Sequence, residues 1–128
     1  MRHLAIVVVL LLAGCAGGSD AGPDTPTTTR PGQEIFEQRI LGPNPGCITC
    51  HSFDPDTTLV GPSIAGVATR AESRVSGQTA RDYLRESILE PSAFVVEGFD
   101  DGKMPADWDE VLTAAEVEAV VGYLLGLK

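Results

Sequence analysis

Five consecutive residues, Cys47-Ile48-Thr49-Cys50-His51, are placed to do chemistry. Two thiols three positions apart lie on one side of a helical turn, and a histidine follows directly. Cys-x-x-Cys-His reads as a site of covalent haem attachment, in which the thiols add to the two vinyl groups on one edge of the porphyrin. His51 is then carried beneath the ring, where its imidazole reaches the iron from the proximal face. Other chemistries compete for the same residues. A redox dithiol prefers a βαβ setting, and no such pattern is present. A closed zinc site takes four N or S ligands. Cys47, Cys50 and His51 supply three, and the remaining cysteine, Cys15, lies far off across a polar stretch. A Cys47–Cys50 disulfide suits an oxidising compartment but would staple only a tiny loop.

The second axial position has few candidates. The chain holds two histidines and two methionines. His3 and Met1 fall in a leader, so His51 is the only histidine beyond it and Met104 the only thioether. Bis-histidine ligation within one mature chain is thereby excluded. Met104 sits in Gly102-Lys103-Met104-Pro105, a tight and non-helical context, where filling a core is a poor explanation for a lone methionine. His/Met ligation raises the haem potential, because soft sulfur favours ferrous iron. With both axial sites taken by protein, no position remains for substrate. That points to an electron carrier, not an enzyme. On the residues alone, Lys103 or water are alternatives at this position.

Three amphipathic segments must position these groups. Pro31 and Gly32 precede a helix over residues 33–40, with Phe36 and Ile40 on one face and Gly42-Pro43 as its stop. A second helix runs from about Thr79 to Glu90, capped by Thr79 with Asp82 and ended by Pro91; Leu84 and Ile88 share a face. In the third, Thr113 and Glu116 form a capping box, and Val117, Val120, Val121, Leu124 and Leu125 fall at helical spacing. No convincing strand appears. The expected class is all-α, about three main helices with long loops. Residues 52–78 and 91–112 read as loops that cannot build a core alone, so a buried cofactor is expected to organise them.

The 128 residues, 43% hydrophobic, are enough for one small domain. The net charge of −9 argues against a nucleic-acid partner. Arg2 and His3 precede an apolar run from Leu4 to Ala13, too short to span a bilayer and suited to an export signal. The run ends in Leu12-Ala13-Gly14-Cys15, which resembles the lipobox of bacterial lipoproteins; residues 1–14 are then a signal peptide and Cys15 a lipidated first residue. Residues 15–30 are rich in Gly, Pro, Ser and Thr, as in a solvated tether. The expected domain, residues 31–128, carries seven basic and sixteen acidic side chains. About 100 residues make a marginal core by apolar burial alone.

Across residues 31–128 the chain resembles a class I cytochrome c, most specifically in Cys47-x-x-Cys50-His51 and Met104. The resemblance implies one covalent haem c with His51 and Met104 as axial ligands. It also implies a close approach at Gly32, with Phe36 and Tyr123 packed where the terminal helices meet. Gly61-Pro62 resembles the family's Gly-Pro, whose proline carbonyl accepts from the proximal histidine. Arg70, Tyr83 and Trp108 are implied as propionate contacts. The stretch from Tyr83 to Leu127 resembles cytochrome c domains fused to oxidase subunits, without the copper-binding part. The expected function is single-electron transfer between membrane or periplasmic redox proteins. The molecule would be a monomer in the bacterial cell envelope, anchored to the bilayer through Cys15 and facing the periplasm or cell exterior. Two alternatives stand beside it: a permanent subunit of an oxidase or dehydrogenase complex, and a haem sensor or peroxidase-like enzyme with a labile Met104.

Overall fold

A computed structural model describes residues 29–128. The expected signal peptide, Cys15 and most of the expected tether lie outside the described residues. The elements in order are α1 (Gly32–Phe36), β1 (Ile40–Leu41), β2 (Asn44–Pro45), α2 (Cys47–Cys50), α3 (Val67–Arg74), α4 (Ala80–Leu89), α5 (Trp108–Val111) and α6 (Ala114–Leu124). The class is all-α, with one two-residue antiparallel pairing. α1 packs on α6, and α4 packs on both α3 and α6. Among the described residues no helix is long and apolar enough to cross a membrane.

α6 is the centre of the core. Thr113 Oγ1 accepts from the Glu116 N–H at 3.2 Å, and Glu116 returns an acceptor to the Thr113 N–H at 2.9 Å. Both orphan donors of the helix start are thus satisfied. Val117, Val120, Val121 and Leu124 are buried. They meet Ile35 and Phe36 of α1 and Tyr83, Leu84 and Ile88 of α4. Thr79 caps α4 as expected, accepting from the Asp82 N–H at 3.1 Å. Arg30, just before α1, ion-pairs with Glu116 at 2.6 Å and so joins the start of the described chain to the α6 cap.

The first helix is shorter than the expected 33–40. It stops at Phe36, with Glu37 as C-cap. Tertiary pairing takes the following backbone: Ile40 and Leu41 pair with Pro45 and Asn44, and the Gly46 N–H donates to the Arg39 carbonyl at 2.8 Å. Gly42, at φ +58°, is the first residue of the two-residue turn, a conformation that favours glycine. Ile40 consequently does not share a buried face with Phe36. It is 71% exposed, and Leu41 is the buried residue.

The expected long loops also contain structure. α3 lies within 52–78 and α5 within 91–112. α3 escapes a hydrophobic-periodicity reading because its buried positions are only Ala68 and Ala71. These loops also supply Ile64, Trp108 and Leu112 to the core.

Gly32 is where α1 and α6 touch most closely. A Cβ added there would lie 1.9 Å from the Ala119 carbonyl oxygen. Backbone, unlike a flexible side chain, cannot move aside cheaply. Gly32→Ala is expected to destabilise the domain by about 3 kcal/mol, lowering Tm by more than about 10 °C. A thermal melt that overlays the parent's would contradict this contact.

Candidate functional site

α2 is a single turn that places Cys47 and Cys50 on one side. Gly46 enters it under tight constraint, since a Cβ there would lie 1.9 Å from the Gln38 carbonyl oxygen. His51 follows in extended backbone, which releases its side chain from the turn. Both cysteines are free thiols. Burial pushes the Cys47 thiol up to about 11, against a hydrogen bond to its backbone and with the Cys50 thiol adding to the rise. It is therefore protonated at neutral pH.

The His51 ring is fixed by the segment that follows residue 60. Its Nδ1 lies 2.8 Å from the Pro62 carbonyl oxygen. A carbonyl only accepts, so the proton resides on Nδ1 and Nε2 keeps a free lone pair. The backbone pairs on both sides of this contact: the Gly61 N–H donates to Cys50 O at 2.8 Å, and the Ile64 N–H donates to Ser52 O at 2.9 Å. The Ser63 hydroxyl adds a bond to Ser52 O at 3.2 Å. Gly61 lies against the imidazole itself, where a Cβ would come within 2.5 Å of Cε1. Burial holds the His51 pKa below its ordinary value, outweighing the opposite pull of the Pro62 hydrogen bond. The ring is thus neutral at pH 7, as a metal ligand must be.

These groups open into a cavity of roughly 1300 Å³, counting its mouth. Cys47, Cys50, His51, Pro62 and Met104 all line it. Its walls are apolar, from Phe36 of α1, Tyr83, Leu84 and Ile88 of α4, and Val120 and Leu124 of α6. Met104 is half-buried against the core. Its loop is drawn in by Asp101, which accepts from the Ser92 hydroxyl at 2.5 Å and the Gly102 N–H at 2.7 Å.

Arg70, Tyr83 and Trp108 also line the cavity. Arg70 Nη2 donates to the Ser63 carbonyl at 2.6 Å, and Nη1 donates to that of Ala65. Tyr83 is buried and meets the Phe94 ring edge-on at 5.8 Å. Trp108 is 2% exposed, yet its Nε1–H has no partner.

Sequence reasoning missed part of the lining. Ile64, Val67, Ala71 and the segment Phe94–Val96 all contribute. The run Phe94-Val95-Val96 was a usable signal, being the one apolar triplet in a charged stretch. Val60, Phe94 and Val95 line the cavity while remaining substantially exposed to solvent.

These features fit a large, flat, apolar group with acidic edges. The exposed cavity-lining side chains would be covered by it, and the orphan Trp108 N–H supplies a donor for an anionic substituent. Free thiols and a neutral imidazole with an open Nε2 complete the set. By contrast, among the described residues no three His, Cys, Asp or Glu side chains converge to hold a metal ion directly.

Gly61→Ala is expected to push the His51 ring off the Pro62 carbonyl. Stability should fall by about 2 kcal/mol in a denaturant titration. The His51 ring resonances should move in NMR spectra, and parent-like ring shifts would refute the contact.

Comparison with curated proteins found no match. The family model described as cytochrome c matches residues 29–128, which spans every described element. The chain therefore belongs to the cytochrome c family and is an electron-transfer haem protein whose haem c is bound covalently.

Proposed function

We propose that this domain is a membrane-anchored monohaem carrier of single electrons between redox proteins outside the cytoplasm. Cys47 and Cys50 form the thioethers, and His51 and Met104 are the axial ligands. The observation that carries the reading is that one apolar cavity gathers Cys47, Cys50, His51 and Met104. The bound haem supplies a ferric/ferrous couple. The protein residues keep that couple from doing other chemistry. His51 Nδ1 stays bonded to Pro62, which raises the basicity of the coordinating nitrogen. Met104, which lines the same cavity, would ligate the iron and leave no place for exogenous ligands. The orphan Trp108 N–H would serve a propionate, and Tyr83 and Arg70, which line the same cavity, would be further contacts. Apolar walls from α1, α4 and α6 exclude water, and a soft sulfur ligand favours the reduced state.

Domain organisation follows the same reading: residues 1–14 are a signal peptide, 15–30 a lipid-anchored tether and 31–128 the electron-transfer domain. The net charge of −9 steers the domain to basic partner surfaces, so association slows as salt rises. Redox encounters of this kind are small and short-lived, which suits turnover.

Optical spectra of the purified anaerobic holoprotein test the ligation. The ferric form should show the weak far-red sulfur-to-iron band, and Met104→Ala should abolish it while keeping the covalent haem. Haem without that band in the parent protein would replace the carrier with an open or lysine-bound iron. Protein lacking covalent haem would end the proposal. For the anchor, Cys15→Ser is expected to move the protein from the membrane to the soluble fraction. A variant that still sediments with membranes would exclude attachment through Cys15.

A further inference from the structure

Arg70 makes both of its side-chain hydrogen bonds within the loop that holds the Pro62 carbonyl. α3, which carries it, is a fixed platform: the Ala68 N–H donates to the Leu127 carbonyl at 3.0 Å, and the helix packs on α4. Gly66, at φ +64°, turns the chain into α3, so the fourth helical residue can reach back over its own approach. There Nη2 bonds the Ser63 carbonyl at 2.6 Å and Nη1 bonds the Ala65 carbonyl.

Those two carbonyls lie one and three residues after Pro62. Proline has no N–H, so Pro62 cannot donate a ladder bond of its own. Its position depends on its neighbours. On the side facing α2, the Gly61 and Ile64 N–H groups are tied to Cys50 and Ser52. On the other side Arg70 holds the carbonyls. Resting on the reading of His51 as an axial ligand, we infer that Arg70 is a positioning residue for it. Arg70 clamps residues 63–65, and the clamp keeps the Pro62 carbonyl on His51 Nδ1. Arg70 thus acts on the axial ligand through a loop, without touching it. The planar guanidinium fork serves two carbonyls at once, which a lysine ammonium on a flexible stem does not reproduce. The role therefore depends on fork geometry and not on positive charge.

The test uses the holoprotein, with Arg70→Lys and Arg70→Gln beside the parent. Covalent haem and the far-red band are checked first in the parent, and their absence there would defeat the functional reading and not this assignment. Exchange of the His51 Nδ1 proton is then followed by NMR in the ferrous state. In both variants it should exchange about tenfold faster than in the parent, while the Val121 amide in α6 stays within about twofold. A parent-like Nδ1 exchange rate in Arg70→Lys would overturn the proposal, because charge alone would then suffice. Equal acceleration of the Nδ1 and Val121 protons would overturn it too, because Arg70 would then be only a general stabiliser.

Discussion

The hydrogen bond from His51 Nδ1 to the Pro62 carbonyl ties the five-residue motif to the rest of the molecule. α2 by itself is one turn and buries none of its residues. Nothing within that turn could fix the orientation of a ring that leaves it in extended backbone. The segment 61–64 does so from outside, with backbone bonds to the residues on either side of His51 and Gly61 packed flat against the imidazole. One contact decides the tautomer, the free nitrogen and the direction in which that nitrogen points. The cavity is organised around that direction.

The helices supply the rigidity this contact needs. A domain of about 100 residues has a small core. Here the close approach of α1 and α6 at Gly32 concentrates the burial in one place, and Ile35 and Val121 become fully buried beside it. The opposite consequence is an incomplete core on the cavity side. Val60, Phe94 and Val95 stay exposed there, and Trp108 has a buried N–H without an acceptor. Both are costs for a bare chain that a bound haem would offset. The same apolar burial holds the His51 pKa below its ordinary value.

Charge is distributed differently. No charged residue is buried among those described. Residues 97–110, which carry Met104, hold six acidic side chains and one basic one, Lys103. Of these, Asp100, Asp101 and Lys103 line the apolar cavity. Exposed pairs such as Arg81 with Glu118 contribute little to stability. The field of the acidic surface matters for encounter with partners more than for the fold.

Local chemistry was readable directly. Cys47, Cys50 and His51 fall within five residues, and Met104 is the only methionine besides Met1. The caps at Thr79 and Thr113 were equally legible, because capping is a contact across three residues and needs no tertiary partner. The class and the family followed from these. What could not be read locally depended on partners distant in the chain. α1 ends at Phe36 because β2 and Gly46 claim the backbone beyond it. α3 was missed because its inward face is short and made of small side chains, Val67, Ala68 and Ala71, set among polar residues. The family resemblance implied a place for Arg70 near the cofactor, but its two loop carbonyls depend on how α3 returns over residues 63–66. The sequence alone determined which atoms are available for chemistry, since side-chain identity and short spacing are local properties. Tertiary structure decided where those atoms point, because orientation is set by hydrogen bonds and close packing between segments that the sequence keeps apart.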